Sequence, residues 1–186
     1  MTPLSSSLKK EETWGVSLEN IRTQLGLEIE SIDRLLFESY TELFAQVQSK
    51  DPNLIEMTTL ACVLHSFYNG VENICLSIAQ VLDKEVPAGA DWHRKLLDQM
   101  TAETANRKPL ISAEMVSQLD GYLSFRHFFR HAYCDRLKWD KMKEPVLLVV
   151  DAWNQFKAKV GAKHSSLKPA NDMPLMSECF APTLPS

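Results

Sequence analysis

The spacing of apolar residues along the chain predicts long helices. Between residues 18 and 47, apolar side chains recur every three or four residues, with charged residues between them. The recurring positions are Leu18, Ile21, Leu25, Ile29, Ile32, Leu36, Tyr40, Leu43 and Val47. Because an α-helix turns once in about 3.6 residues, this spacing keeps one apolar stripe facing the core. It predicts a first helix of about 30 residues.

A second long helix is predicted from Asp51 to Leu82. Asp51 is interpreted as the N-cap and Pro52 as the first helical residue, where the missing N–H of proline is not needed. Gly70 within this helix is expected to allow close approach of a neighbouring helix. The helix is expected to end before the segment Val86-Pro87-Ala88-Gly89.

Three shorter helices are predicted in the second half of the chain. Asp91 is expected to cap the first of them and Ser112 the second. The last helix carries the apolar residues of segment 146–160, with Pro145 in its first two turns and Gly161 at its end. No alternating β pattern and no internal repeat occurs in the sequence.

Together these patterns predict one all-α domain, an antiparallel bundle of four to five helices with long first and second helices. Residues 1–16 are predicted to form a flexible N-terminal arm, residues 17–161 the bundle and residues 162–186 a flexible tail. Four of the nine prolines fall in the last 18 residues. That composition is typical of segments without a packed core.

Composition narrows the class of protein. The longest strongly apolar run, residues 146–150, is far shorter than the roughly 20 residues that span a bilayer. The charged residues at 9–12 occupy the place of the apolar segment of a signal peptide. The four cysteines have no paired spacing, which indicates free thiols. We therefore expect a cytoplasmic protein that does not bind a membrane.

Charge is unevenly distributed along the chain. The net charge is −4, which excludes a uniformly basic coat for nucleic acid. Between Arg126 and Lys143, however, six basic and two acidic residues give +4, so the rest of the chain carries −8. A local cationic patch on an acidic body favours a phosphate-bearing substrate.

The candidate chemistry is concentrated in residues 125–133, at the predicted end of a helix. This segment contains two arginines, two histidines and one tyrosine within eight positions. In an ideal helix Arg126 and His131 lie about 140° apart, so one straight helix does not present both on one face. Either the helix ends near His131 or the two residues meet across a dimer, and we favour both together.

This segment resembles the motif of a known family. Arg126, four intervening residues, His131, Ala132 and Tyr133 form the pattern R-x4-H-x-Y, with His127 at the polar position after the arginine. The pattern is similar to that of the HEPN ribonucleases, specifically the HepT-like toxins. Two further segments, residues 64–73 and 92–97, also look like the larger HepT-like proteins, and the resemblance covers roughly residues 18–160.

The resemblance implies a HEPN-like bundle with endoribonuclease activity that needs no metal and no cofactor. The RNA 2′-OH would attack its own adjacent phosphate, with His131 as general acid and base and Arg126 stabilising the developing charge. His127 and Arg130 would support these two residues. The site would lie in a cleft between the two copies of a homodimer.

The same resemblance implies a toxin of a type VII toxin–antitoxin pair. Its partner would be an MntA-like nucleotidyltransferase antitoxin, which adds AMP to Tyr133. A bulky, anionic adenylate beside Arg126 and His131 would keep RNA out of the site.

Other polar and aromatic residues could support the motif or serve packing alone. Three side chains of the second helix, Asn69, Glu72 and Asn73, are expected either to buttress the motif or to bridge helices. His65 and His93 are expected to be structural residues, and Arg130 either supports the site or forms a surface ion pair. The phenylalanines of segment 125–133 are expected to pack in the core or at a dimer contact; they are Phe125, Phe128 and Phe129.

Two alternatives stay open. His127 and His131 are four residues apart, a spacing that, with His65, suits a metal site like that of DinB-like bundles. The flanking Arg126 and Arg130 disfavour a divalent cation there. The other alternative is a non-catalytic HEPN interaction module that binds RNA or a partner without cutting.

Overall fold

A computed structural model describes residues 5–131 and 136–164 of the chain, with side chains over residues 19–131 and 136–161. Six α-helices form an all-α bundle in this part of the chain, which contains no β-sheet. Their bounds are α1 Ser5–Arg34, α2 Thr41–Gln46, α3 Leu54–Ile78, α4 Trp92–Thr101, α5 Ala113–His131 and α6 Trp139–His164. The predicted all-α fold is confirmed. The division into arm, bundle and tail stays a prediction.

The first predicted helix is interrupted, which raises the number of described helices to six. α1 passes into a π-helical segment, Leu35–Ser39, and the helical backbone stops at Tyr40, with φ −128° and ψ 16°. A π-helical turn takes more residues than an α-helical one, so it shifts the register of the residues that follow. Leu36 and Val47 are both buried, and their spacing alone therefore did not reveal the break.

α3 begins with a capping box at Asn53 rather than at Asp51. The Asn53 side chain accepts two backbone N–H groups of the first turn at 2.9 and 3.0 Å, and the Glu56 carboxylate accepts the Asn53 N–H at 2.7 Å. Pro52 lies buried before the cap. Asp51 instead accepts the indole N–H of Trp139 at 2.7 Å, where α6 begins. The prediction of an Asp51 cap is therefore wrong.

The other helix ends agree with the sequence in part. Ser112 Oγ accepts a first-turn N–H of α5 at 3.4 Å, as predicted. Asp91 occupies the N-cap position of α4 without a side-chain capping hydrogen bond, and its carboxylate pairs with Lys95 Nζ at 2.9 Å. Gly161 lies inside α6 and does not end it. The cost of a helical glycine, about 1 kcal/mol, is small enough for the packing of α6 to override.

α3 lies at the centre of the bundle and contacts α1, α4, α5 and α6. α1 and α3 are antiparallel, since Glu28 bonds to Asn73 while Ile32 meets Gly70. A Cβ atom at Gly70 would lie 2.6 Å from Ile32 Cδ1, which confirms the expected close approach. The centre of the bundle is filled by large side chains that are fully buried, among them Trp153, Tyr68, Phe67 and Phe156.

None of the helices in the described part of the chain has the length and apolar character needed to cross a bilayer. Cys62 and Cys75 are free thiols, and burial raises the pKa of Cys75 to about 12. Cys134 and Cys179 lie outside the described residues.

Candidate active site

Arg126 projects from α5 towards α3 and α4, into a network of polar side chains. Its Nε donates to Asn69 Oδ1 at 2.8 Å, and its Nη1 lies 3.3 Å from His93 Nε2. Its Nη2 lies 3.5 Å from Glu72 Oε1, in a site where the two side chains are 11% and 7% exposed. The guanidinium of the motif is therefore held in place by partners on two neighbouring helices.

Glu72 and His93 form a second link within this network. His93 Nδ1 donates to the Glu72 carboxylate, and both side chains are buried. Nε2 of His93 is then the nitrogen that accepts from Arg126, so the geometry assigns the Nδ1–H form of the ring. Trp92 covers the imidazole, with ring centroids 3.7 Å apart.

His93 is the residue whose place in the site the sequence did not indicate. Its partners Glu72 and Arg126 are 21 and 33 residues away, on other helices. No local spacing in the sequence distinguished His93 from a histidine that serves packing alone.

Asn69 connects Arg126 to a further histidine. Its side-chain nitrogen donates to His65 Nδ1 at 3.1 Å, while its oxygen accepts from Arg126. Burial first, and then the positive charges of Arg126 and Arg130, lower the pKa of His65. A neutral His65 accepts this hydrogen bond, and it thereby keeps the amide oxygen of Asn69 turned towards Arg126.

The three polar side chains of α3 that were expected near the motif contact two different helices. Asn69 and Glu72 both meet Arg126 of α5. Asn73 donates to Glu28 Oε1 at 3.1 Å instead, and so ties α3 to α1. The structure thus brings two of these three side chains to the motif arginine and leaves the third outside the network.

The remaining basic residues of the motif lie exposed at the end of α5: His127, Arg130 and His131. The His127 ring meets the His93 ring edge to face, with centroids 5.5 Å apart. Partial burial and then the neighbouring positive charges lower the pKa of His127. α5 is helical through Arg126 and His131, so these side chains leave the helix in directions about 140° apart. Tyr133 lies outside the described residues.

The three histidines considered as a metal site are not brought together. His65 contacts Asn69 and Phe129, whereas His127 contacts His93. Over residues 5–131 and 136–164, no group of three or more His, Cys, Asp or Glu side chains is placed to hold a metal ion.

A comparison with protein families identifies the family of the chain. A family model described as HepT-like protein matches residues 59–166, more than half of the chain. The matched region contains the whole polar network around Arg126 and all of α5. No curated protein and no solved structure matches the chain. The chain belongs to the family of HepT-like proteins.

Proposed function

We propose that this protein is a metal-independent endoribonuclease and the toxin of a type VII toxin–antitoxin pair. Membership of the HepT-like family suggests a toxin-type HEPN nuclease. The observation that carries the proposal is the fixed position of Arg126. Its guanidinium is held by Asn69, His93 and Glu72, next to the cationic C-terminal end of α5. A fixed guanidinium is suited to a phosphoryl group, because its orientation does not have to be found during the reaction.

The proposed reaction is an attack of the RNA 2′-OH on the adjacent phosphorus. The bond to the 5′-oxygen of the next nucleotide breaks, giving a 2′,3′-cyclic phosphate and a free 5′-OH. His131 removes the proton of the 2′-OH and then supplies it to the leaving 5′-oxygen, with His127 positioning the phosphate. Arg126 hydrogen-bonds through Nε and Nη1 to Asn69 and His93 and forms an ion pair with Glu72, and its other N–H groups are proposed to donate to phosphoryl oxygens.

A homodimer completes the site in this proposal. Because Arg126 and His131 point in different directions from α5, one copy alone does not present both to the same phosphate. In a two-fold dimer, Arg126 of one copy faces His131 of the other across a shared cleft.

Silencing is proposed to act at Tyr133. An MntA-like nucleotidyltransferase antitoxin adds AMP to the hydroxyl of this residue, which follows His131 by two positions. The added negative charge and bulk beside the cationic end of α5 then exclude RNA.

Cleavage of RNA by the purified protein in EDTA tests the nuclease. R126A and H131A are expected to lose about 100-fold or more, the usual effect of removing a general acid or base or a charge-stabilising donor. R34A is the matched control, since Arg34 forms only an exposed pair with Glu30. Loss of wild-type cleavage in EDTA would indicate a metal enzyme. Binding of RNA without cleavage would indicate the non-catalytic interaction module.

A further inference from the structure

A groove between α5 and α6 lies apart from the polar network around Arg126. It encloses about 460 Å³, within the roughly 300–1,000 Å³ of sites that hold small ligands. Apolar side chains form one part of its lining and basic side chains the other. The apolar part includes Phe125, Phe128, Met142 and Pro145, and the basic part is Arg136, Lys138 and Lys141.

Phe128 is the exposed aromatic side chain of this groove. It is 45% exposed, whereas Phe125 is 8% exposed and stacks on Phe129 with ring centroids 6.0 Å apart. An open aromatic ring beside basic side chains is the combination on which single-stranded nucleic acids bind, with a base on the ring and phosphates on the cations.

The positive charge of the groove favours an anionic ligand. None of the described residues that line it is acidic, and three are basic. A neighbouring cavity of about 450 Å³ lies farther along the same two helices and is lined by Glu144 and Asp151. The basic groove is therefore a local feature of the α5–α6 surface, in a chain whose net charge is −4.

The groove also shares a side of α5 with His131. His131 follows Phe128 by three positions and Ser124, which also lines the groove, by seven. These spacings place side chains on one helix face. Arg126 leaves the same helix in the direction of α3 and α4.

We propose that this groove binds one nucleotide of single-stranded RNA next to the position that is cut. The base stacks on Phe128, and the phosphates lie against Lys138 and Lys141. This inference rests on the proposed function, because it takes RNA as the ligand of His131. A second copy of the chain is the other occupant that an open aromatic ring would accept, and the experiment separates the two.

Binding of a fluorescent 2′-O-methyl RNA, followed by anisotropy, is the test. This RNA has no free 2′-OH, so binding is measured without cleavage. F128L keeps an apolar side chain but removes the ring, and it is expected to weaken binding about tenfold, whereas F128W retains it. An oligonucleotide without bases is expected to bind wild type and F128L equally.

The lysines are tested by salt dependence. Replacing Lys138 and Lys141 with glutamine is expected to lower the slope of log affinity against log salt by about 0.7 for each lysine. K159Q is the control, since Lys159 is an exposed lysine of α6 that does not line the groove.

Equal RNA binding by wild type, F128L and F128W would overturn the proposal. If F128L also changed the molar mass measured by light scattering, the groove would be a contact between copies. Failure of the proposed function gives a different result: the Phe128 dependence of binding persists while unmodified RNA is left uncut.

Discussion

Nη2 of Arg126 lies 3.5 Å from Oε1 of Glu72, between two helices and with both side chains about nine-tenths buried. Charged groups are rarely buried in this way unless they are paired and hydrogen-bonded. His93 and Asn69 supply the additional hydrogen bonds, so that the arginine of the motif is held by side chains of α3 and α4. The proposed active site and the stability of the bundle therefore depend on the same contacts.

Replacing Glu72 with glutamine is expected to destabilise the protein by about 3 kcal/mol or more. Arg126 would keep its charge in a buried site without an acidic partner, which is strongly unfavourable. The free energy of unfolding in urea measures the effect. Glu30→Gln is the matched control, because Glu30 pairs with Arg34 on the surface of α1, and a loss of about 0.5 kcal/mol or less is expected there. Similar losses of unfolding free energy in the two variants would show that the buried pair stabilises the protein no more than the surface pair.

Replacing Gly70 with alanine is expected to destabilise the protein by about 1–3 kcal/mol, because the new Cβ would lie 2.6 Å from Ile32 Cδ1. Gly26 of α1 offers the control, since nothing lies within 4 Å of a Cβ built there. Gly26→Ala is expected to stabilise the protein by about 0.5–1 kcal/mol through helix propensity alone. Thermal unfolding distinguishes the expected loss of stability from the expected gain. Higher stability in both variants would contradict the close contact of α1 with α3.

Acid is expected to destabilise the protein through His65. Burial and then the charges of Arg126 and Arg130 lower the pKa of His65 from 6.5 in the folded state. The unfolded chain therefore binds this proton at a higher pH than the folded chain, and stability falls as the pH drops below 6.5. The lowered pKa of His127 acts in the same direction.

His65→Gln isolates this effect, since glutamine keeps an oxygen that accepts the hydrogen bond from Asn69. The free energy of unfolding, measured at about pH 7.5 and about pH 5, is expected to fall less in the variant than in wild type. An equal loss in both proteins would assign the acid sensitivity to other groups.

Tyr133→Phe is expected to leave RNA cleavage unchanged and to abolish silencing, because it removes only the hydroxyl that receives AMP. Cleavage is measured before and after incubation with an MntA-like nucleotidyltransferase and ATP, and intact mass reports the modification. Tyr40→Phe, at the break between α1 and α2, is the control, and the nucleotidyltransferase should still silence it. AMP recovered in full on the Tyr133 variant would place the acceptor elsewhere.

The sequence was sufficient for features that depend on local pattern. The apolar stripes of α1 and α3, the Ser112 cap and the close approach at Gly70 each follow from spacing or from the stereochemistry of one residue type. The arginine–histidine motif is local in the same sense, since both residues lie within one helix.

Two features that depend on distant partners were not predicted. Asp51 and Asn53 are both good N-cap residues, and Asn53 takes that position while Asp51 binds Trp139 of α6. The contact of His93 with Arg126 requires the packing of α4 against α5. The spacing of apolar residues had no means of indicating either contact, because it records only which side of a helix faces inward.

Mixing two inactive variants in EDTA tests most directly the central claim, that Arg126 of one copy and His131 of another cut RNA together. R126A and H131A are each expected to be inactive alone. After unfolding and refolding together, their mixture should regain about a quarter of wild-type cleavage, because half of the dimers are mixed and one of two sites in each is intact. A mixture that stays inactive while mixed dimers form, or single variants that cut RNA as well as wild type, would contradict the claim.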